Sequence, residues 1–581
     1  MQHRFITQVQ SVLRGTLLLL WVVMIFSAVM VREKPVHAQT ALPDGKTIYL
    51  PVISSGPAYA VSITRVEVTQ AIQDSQNSVM LVAGRPTLLR IFTSSTGVTP
   101  ASLPVRVAIT SRSSNNSLAS ASQIVTASVS PVSSEATYSS TVNYQLPASW
   151  VSGTIDLAVK LDAGNQMNAV NTTDNSYALH LTFKPVPPLD VKIVPIQYTD
   201  TYDNFTYPAP SSDTISNWIY RTYPVSQVRI SWHAPVAFTG DLTTSTDFGK
   251  LLNKVTSIKQ AENALTSQVY YGLIPTASGT KTWFHTGFAG LGWVGSRTAI
   301  GLDLAGQSSQ IAAHEIGHNL GMQHTPCGTT SGTDPAYPYP DGSIGKYGVD
   351  LTTGQVYAPT FKDVMSYCGP KWISDYTYKV LYNSQVKYGA VTSSALTVQD
   401  QSAGTTGRSL LLRANVNAQG AELLPSYILS GGSSTMPETG EYQVQVLGTS
   451  GEILADAPIR AFTAGEPGEG QISAIQAMIP LPDVPVAKVR LLKAGVLLGE
   501  QSLQAITMSK VSGMAVEPSG NGFRVRWAAS PQPVLVRYSV NQGATWTTLE
   551  MDLRGTEITI PPSSLPGQDG TFEVVQAGVW K

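Results

Sequence analysis

Apolar residues between positions 59 and 184 recur at every second position or in short runs of strand length. AVSITRVEVTQ and IDLAVKLD are two such segments, and Ser, Asn and Gly residues separate them from their neighbours. A period of two between turn residues is typical of β-strands, whereas helices repeat every 3.6 residues. We therefore predict one immunoglobulin-like β-sandwich over residues 59–184.

After residue 188 the pattern changes, because strand-like and helix-like segments alternate. Such alternation is typical of a mixed sheet with helices packed on it, and we predict an α/β domain over residues 188–385. The strand-like segments are 189–198, 225–233, 267–275 and 297–305, and the helix-like segments, with capping residues or one apolar face, are 212–223 and 247–265.

Period-two patterns return after residue 390, for example in EYQVQVLG and GFRVRWAAS. They predict a β-sandwich over residues 390–505 and a C-terminal immunoglobulin- or fibronectin-like β domain over residues 506–581. SVNQGATW (539–546) resembles the Asp-box hairpin, with Asn541 where Asp is usual, and this motif is a turn that implies no catalysis. The predicted fold class is multidomain, with one α/β domain flanked by all-β sandwich domains.

Composition agrees with a chain of several β-modules. The 581 residues have room for about three or four domains. Only 13% of them are charged, and 48 are Gly and 37 are Pro. The formal net charge of −1 offers no basic face, so we expect no nucleic-acid partner.

Residues 1–38 have the features of a signal peptide. An apolar run over residues 16–30 follows basic residues, and Val36 and Ala38 satisfy the small-residue rule for signal peptidase. The run has about fifteen residues, fewer than the roughly 20 that span a bilayer. We predict cleavage after Ala38, a linker over residues 39–58, and a secreted or extracellular protein with no stable membrane span. The alternative is a single membrane anchor.

Three of the eight histidines lie within HEIGHNLGMQH (314–324). On a predicted helix over Ser309–Leu320, His314 and His318 lie four residues apart on one face, so their Nε2 atoms can bind one Zn²⁺. Glu315 lies beside that face, where its carboxylate can take a proton from metal-bound water. The alternative is a helix whose histidines bond only to solvent or backbone. It requires a chance match of about one in 100,000.

Gly321 and His324 complete the predicted metal site. Glycine can adopt a positive φ, so the helix can end at Gly321 and the chain can turn back. His324 then becomes the third ligand. Three protein ligands leave the fourth zinc position open for water, as catalysis requires.

HEIGHNLGMQH matches the HExxHxxGxxH motif of the metzincin zinc peptidases, and DVMSYC (363–368) resembles their Met-turn. The resemblance covers about 55 residues and implies specific roles. Met365 would form a hydrophobic floor below the metal. The zinc ligands would be His314, His318 and His324, with Glu315 as general base and acid.

Tyr367 matches a tyrosine of the astacin and serralysin branches, where it can bind zinc at rest and stabilise the tetrahedral intermediate. Its alternative role is that of a core tyrosine. The resemblance also implies an edge strand that pairs with extended peptide, here 297–305, preceded by a loop over 287–295. Thr325 follows the third histidine and departs from the signature residues of the branches, with Pro326 one position later than in serralysins. The branch is therefore unassigned.

Cys327 and Cys368 are the two cysteines of the chain. A lone pair in an exported protein usually forms a disulfide, here closing a loop of about 42 residues and contributing about 4 kcal/mol. The alternative is zinc binding by both thiolates, which the nearby histidine set disfavours. Such a disulfide would tie the exit of the zinc helix to the Met-turn. The loop between them carries three aspartates that either hold Ca²⁺ or face solvent, namely Asp334, Asp341 and Asp350.

The function predicted from these features is that of an exported zinc endopeptidase acting on protein or peptide substrates. One alternative is a surface adhesion protein with an inert or structural zinc domain. Another is a zinc hydrolase of a non-peptide amide or a glycan. The β domains are candidates for binding cell-surface or glycan ligands. A thiol-latch zymogen is excluded because residues 39–313 contain no cysteine.

Overall fold

The structure, a computed structural model, describes most of the chain after residue 59, and its fold is multidomain and mostly β. The predicted signal peptide and linker lie outside the described residues. Among the described residues, no helix combines the length and the apolar character needed to cross a membrane. The described ranges are 60–96, 103–113, 122–130, 132–161, 175–285, 287–328, 332–399, 407–417, 420–430, 439–465, 472–482, 484–503, 511–520, 522–567 and 569–578.

Two sheets form the first region, as the period-two pattern predicts for an all-β region. The strands are β1 (Ala60–Thr69), β2 (Ile72–Gln73), β3 (Leu81–Val82), β4 (Leu88–Thr96), β5 (Leu103–Ser113), β6 (Ser122–Ala127), β7 (Val142–Gln145), β8 (Gly153–Leu161) and β9 (Ser176–Lys184). One sheet has the order β1-β4-β7 and the other β3-β9-β8-β5-β6. Side chains such as Val66, Ile91 and Val159 come from both sheets and share one buried cluster.

The central region is a mixed sheet with helices. Its strands are β10 (Leu189–Asp200), β11 (Thr206–Tyr207), β12 (Val228–Trp232), β13 (Val236–Gly240), β14 (Val269–Pro275), β15 (Ala277–Ser278), β16 (Lys281–Thr282), β17 (Gly290–Gly292), β18 (Thr298–Asp303), β19 (Tyr347–Val349), β20 (Val356–Tyr357), β21 (Lys362–Asp363) and β22 (Lys371–Trp372). Its helices are α1 (Ser216–Thr222), α2 (Ser245–Ala261), α3 (Ser308–Asn319) and α4 (Asp375–Gln399).

The main sheet of this region has the order β11-β10-β14-β18-β17, with β12 and β13 also paired to β10. β10, β12, β13, β14 and β18 pair in parallel, whereas β11 and β17 are antiparallel to their neighbours. Successive side chains of a strand point to opposite faces. On β14, Tyr271 and Leu273 pack with α3, and Tyr270 and Ile274 pack with α2. The two helices therefore cover opposite faces of the sheet.

The prediction that residues 297–305 form the edge strand is wrong. β18 lies inside the sheet, between β14 and β17, and the edge is β17 within the predicted loop. The run TAIGL (298–302) is buried at every position. A continuous apolar run without alternation is typical of a strand covered on both faces, so this pattern itself indicates an interior strand.

The last helix of the central region extends beyond the predicted domain end at residue 385. α4 runs to Gln399, and the next strand begins only at Arg408. No proline interrupts residues 375–399, so nothing in the backbone stops the helix before residue 390. The prediction of β structure from residue 390 therefore began too early.

Two further β regions follow α4. The strands are β23 (Arg408–Asn417), β24 (Gly420–Leu423), β25 (Tyr427–Ser430), β26 (Tyr442–Gly448), β27 (Ile453–Ile459), β28 (Phe462–Thr463), β29 (Ser473–Leu481), β30 (Val486–Lys493), β31 (Val496–Ser502), β32 (Ala515–Ser519), β33 (Gly522–Arg526), β34 (Val534–Ser539), β35 (Thr547–Leu553), β36 (Glu557–Ile560) and β37 (Thr571–Gln576). Strands β23–β31 form two sheets over one buried cluster, and β32–β37 form two smaller sheets over another. Asn541 lies in the turn between β34 and β35, where its side-chain oxygen accepts from the Thr545 N–H at 2.8 Å.

The flanking β regions contact the central region directly. On the N-terminal side, the Trp372 indole donates to the Ala71 carbonyl at 2.8 Å. On the C-terminal side, the Ser257 hydroxyl on α2 bonds to the Gln476 side chain on β29 at 2.8 Å. Residues far apart in the chain therefore meet around the sheet that carries α3.

Candidate metal centre

α3 carries the first two candidate ligands and ends as the sequence predicts. It spans Ser308–Asn319, one residue earlier at each end than expected, and Gly321 has a φ of 95°. The Gly321 N–H bonds to the His318 carbonyl at 2.9 Å and the Met322 N–H to the Gly317 carbonyl at 3.0 Å. A positive φ at the residue after a helix is most accessible to glycine, so Gly321 permits the chain to turn back here.

His314 and His318 project side by side from α3, with ring centroids 4.9 Å apart. His314 Nδ1 lies 2.9 Å from the Val364 carbonyl, and His318 Nδ1 lies 2.8 Å from the Met322 carbonyl. Because a carbonyl oxygen only accepts hydrogen bonds, each Nδ1 carries the proton. In the neutral imidazole, Nε2 then presents the lone pair that a metal ligand needs.

His324 lies beyond the turn and faces the other two histidines. Its Nε2 lies 3.2 Å from His314 Nε2, and the candidate ligand atoms of the three residues all lie within 4.8 Å of one another. All three side chains are buried. Tetrahedral nitrogen ligands at 2.0–2.1 Å from zinc lie about 3.3 Å from each other, so this nitrogen set fits one Zn²⁺.

Backbone pairing links the third histidine to the Met-turn. The Thr325 N–H donates to the Met365 carbonyl at 3.1 Å, and the Asp334 N–H donates to the His324 carbonyl at 2.7 Å. Met365 is fully buried, and a Cβ added to Gly317 on α3 would lie only 2.5 Å from its sulfur. Met365 therefore packs closely against α3, beside the histidines.

Asp363 holds the Met-turn through its buried carboxylate. One oxygen accepts from the Met365 N–H at 2.8 Å and the other accepts from the Ser374 N–H at 2.9 Å. Burial raises the pKa of this carboxyl above its usual value, although hydrogen bonds from both backbone groups oppose the shift. The sequence contains a signal for this role, because an Asp two residues before a turn amide commonly caps it. Sequence reasoning assigned Asp363 no function.

Glu315 lies between α3 and the edge strand β17. Its side chain is 3% exposed, and two glycines of the edge strand leave room for it. A Cβ on Gly290 would lie 2.6 Å from the Glu315 carboxylate, and a Cβ on Gly292 would lie 2.6 Å from the Glu315 carbonyl oxygen. Sequence reasoning missed these two glycines, although their spacing in GLG (290–292) places both on one face of a strand.

Tyr367 lies on the solvent side of the histidine cluster. Its ring centroid is 4.7 Å from that of His324 and 6.0 Å from that of His314. The residue is 41% exposed, so it is not a core tyrosine. The structure thus brings Tyr367 to the cluster from the Met-turn side.

A second tyrosine supports α3 from the interior. The Tyr223 hydroxyl donates to the Ala313 carbonyl, directly before the first candidate ligand. Burial raises the pKa of Tyr223 well above its usual value, and the nearby Asp363 and Glu315 carboxylates add to this shift. The phenol therefore stays protonated and keeps donating to the helix backbone across the physiological pH range.

The three aspartates considered for Ca²⁺ have separate partners. Asp334 accepts from the Tyr376 hydroxyl at 2.7 Å, Asp341 pairs with Lys362 at 3.0 Å, and Asp350 bonds to Arg221 at 2.5 Å. The Lys362 hydrogen bond lowers the pKa of Asp341 to about 2. Within the described ranges, the histidine trio is the cluster with the geometry of a metal site. The possible calcium site is therefore not supported.

Cys327 and Cys368 form a disulfide, which confirms the predicted pairing and excludes their binding to zinc as thiolates. The bond joins positions 41 residues apart. It lies three residues beyond His324 on one side and three beyond Met365 on the other. It therefore closes the loop that brings the third histidine against the Met-turn.

Replacing both cysteines, in Cys327→Ser/Cys368→Ser, is expected to lower the free energy of unfolding of the central region by about 4 kcal/mol, since a loop of this length is then unconstrained. The measurement is the urea midpoint for zinc release, followed with a chromogenic chelator. Wild-type protein treated with a reductant serves as the matched comparison and should shift in the same way. An unchanged midpoint in both samples would show that the bond does not stabilise this region.

Comparison with known proteins gives a match to a peptidase family. The sequence profile of the peptidase M66 family matches residues 248–368, which include the three histidines, Glu315 and the disulfide. This match supports a metallopeptidase. No curated protein sequence matches the chain.

Similarity to solved structures is weak. A structure described as a chaperone-substrate complex is 14% identical over 39% of this chain and 40% of that chain, with a TM-score of 0.20. A beta-glycosidase from Bacteroides vulgatus is 7% identical over 89% of this chain and 76% of that chain, with a TM-score of 0.13. TM-scores of this size do not establish a shared fold.

Proposed function

We propose that this protein is an exported zinc endopeptidase of the metzincin type that cleaves protein or peptide substrates. The observation that carries the proposal is the convergence of three buried imidazoles beside a buried glutamate, within the segment that matches a peptidase family. His314, His318 and His324 would hold the ion. When bound, Zn²⁺ supplies a Lewis acid for the scissile carbonyl and lowers the pKa of water to about 7.

Glu315 is the proposed general base. Its carboxylate takes a proton from the water whose oxygen adds to the carbonyl carbon of the substrate. The same carboxyl then gives that proton to the leaving amine as the C–N bond breaks. Tyr367 would donate a hydrogen bond to the oxyanion that develops in between, and its ring centroid 4.7 Å from that of His324 supports this role.

β17 is the proposed site for backbone pairing with the substrate. It is the edge of the main sheet and lies directly against Glu315. An extended peptide can add to the edge of a sheet through main-chain hydrogen bonds. This arrangement favours a peptide over a glycan or a non-peptide amide, which lack a repeating backbone donor and acceptor.

The alternative of an adhesion protein with a structural zinc site is less consistent with the donor set. Structural zinc sites usually have four protein ligands, whereas the described cluster has three histidines. Removing Cys327 and Cys368 from the candidate ligands strengthens this point, because the disulfide leaves no thiolate to complete such a site. Export, through cleavage after Ala38, is part of the proposal and is tested by N-terminal sequencing of protein recovered from the medium.

Metal removal provides the direct test. Treating the full chain with ortho-phenanthroline is expected to abolish cleavage of casein, and one equivalent of Zn²⁺ should restore it, since catalysis depends on a single ion. The readouts are peptide release and elemental analysis. Cleavage that persists at the original rate in metal-free protein would contradict a zinc peptidase. A metal-loaded protein that cleaves no protein or peptide would favour the adhesion alternative.

A further inference from the structure

We propose that residues Thr463–Gly465, which we call the wall segment, close one end of the substrate cleft and limit how many substrate residues before the scissile bond can pair with β17. The segment comes from the β23–β31 region, about 140 residues after α3 in the chain. This inference rests on the proposed peptidase function. It assigns part of the substrate specificity to a neighbouring β region.

Backbone hydrogen bonds place the wall segment on the edge of the active-site sheet. The Gly465 N–H donates to the Gly292 carbonyl at 2.9 Å, and the Val294 N–H donates to the Thr463 carbonyl at 3.0 Å. Between these bonds, Trp293 and Ala464 form an antiparallel bridge. The wall segment therefore occupies the position that an added strand would take beyond Gly292.

Hydrogen bonds along β17 alternate between its two sides, and this alternation shows which backbone N–H and C=O groups can bond to a substrate. The Ala289 carbonyl accepts from the Leu302 N–H at 2.9 Å, and the Trp293 N–H donates to the Thr298 carbonyl at 3.2 Å. The odd-numbered residues of this stretch thus face β18, and the even-numbered ones face outward. The wall segment bonds to the carbonyl of Gly292, which is one of the outward-facing backbone groups. The groups of Gly290, next to Glu315, lie farther along the same edge.

The wall segment is firmly anchored. Arg460 donates to the Gly295 carbonyl at 2.7 Å, and the Phe462 ring lies 6.4 Å from the Trp293 ring between centroids. Ala464 is buried in the same apolar cluster as Trp293. These contacts make the segment a fixed part of the cleft.

The wall segment also reaches the metal centre. A Cβ added to Gly465 would lie 2.5 Å from three ring atoms of His318, so only glycine leaves room for the imidazole at this point. The cleft therefore ends next to a candidate zinc ligand, and a substrate strand cannot continue past it along β17.

The direction of the wall segment indicates which side of the substrate is limited. It runs antiparallel to β17, from Val294 towards Gly292. A substrate strand in the same orientation would begin after Gly465 and run towards Gly290. Every second residue of an antiparallel edge strand bonds to the added strand. Gly292 already bonds to the wall segment, so no more than about two substrate residues before the scissile bond can pair with β17.

A peptide series on the wild-type full chain tests the proposal. Lengthening the substrate from two to six residues before the scissile bond is expected to change kcat/KM by less than about twofold, because the wall segment already bonds to the edge of β17 beyond Gly290. A tenfold gain on the amino side would overturn the proposal. A zinc-loaded wild type that cleaves none of the peptides or casein would instead refute the peptidase function.

The double variant Arg460→Ala/Phe462→Ala removes two side-chain contacts that anchor the wall segment, the Arg460 hydrogen bond to Gly295 and the packing of Phe462 on Trp293. With zinc content equal to wild type, it should gain about tenfold in kcat/KM when the amino side is lengthened. Arg490→Ala is the matched control, because Arg490 lies on β30 and bonds to Glu500 at 2.7 Å. It should keep the wild-type length dependence. A folded double variant without any gain would contradict the proposal, and if circular dichroism shows it unfolded, the wild-type series decides.

Discussion

Glu315→Ala is expected to retain zinc and to lose about 10³-fold of kcat/KM for peptide cleavage, because general base catalysis contributes factors of this order. The carboxylate of this residue, which is 3% exposed, lies against Gly290, and the candidate metal ligands are the three imidazoles. Removing it should therefore leave the nitrogen donors in place and delete only the proton acceptor. The measurements are elemental zinc analysis and cleavage of a fluorogenic peptide.

Two variants sharpen this test. Glu315→Asp keeps a carboxylate but withdraws it by one methylene, so its activity should lie between those of wild type and the alanine variant. Gln310→Ala changes an exposed residue of the same helix and should behave as wild type. If Glu315→Ala cleaved the peptide at the wild-type rate with full zinc, the assigned general base would be wrong. Loss of zinc in that variant would instead give Glu315 a role in holding the metal centre.

Local spacing explains why much of the metal centre could be predicted from the sequence. The helix period places His314 and His318 on one face, and Gly321 ends the helix within one residue of the predicted position. The disulfide followed from cysteine count. The histidine spacing and the helix end depend on a few residues that are close in the chain. The disulfide depends only on there being two cysteines, which can pair in one way.

Features that depend on sheet order and on distant contacts were not predicted. Residues 297–305 were assigned to the edge of the sheet, but only the pairing of β17 with β18 identifies the outer strand. The wall segment belongs to the β23–β31 region but bonds to Gly292 of the central region, and a glycine at position 465 carries no local sign of a histidine ring beside it. Such contacts follow from the packing of whole regions on each other, which a single sequence does not encode in any short pattern.

The connection between the third histidine and the Met-turn is built from three independent links. The disulfide closes the loop, the Thr325 N–H bonds to the Met365 carbonyl at 3.1 Å, and Asp363 caps the turn. His314 and His318 need no such support, because α3 itself holds them in register. The position of His324 therefore depends on tertiary structure, and this residue is the most informative ligand to remove.

His324→Ala is expected to lower zinc affinity by more than about 100-fold, since even loss of a group that only orients a ligand costs 10–100-fold. Two histidines would remain, fewer than the three that catalytic zinc sites use, and peptide cleavage should fall with the metal content. Competition with a fluorescent zinc chelator measures the affinity. His180→Ala is the control, because this histidine is 69% exposed on β9 and bonds to Asp156 at 2.7 Å. Unchanged affinity in His324→Ala, with the disulfide intact, would remove His324 from the ligand set and leave α3 with a two-histidine site that cannot support the proposed reaction.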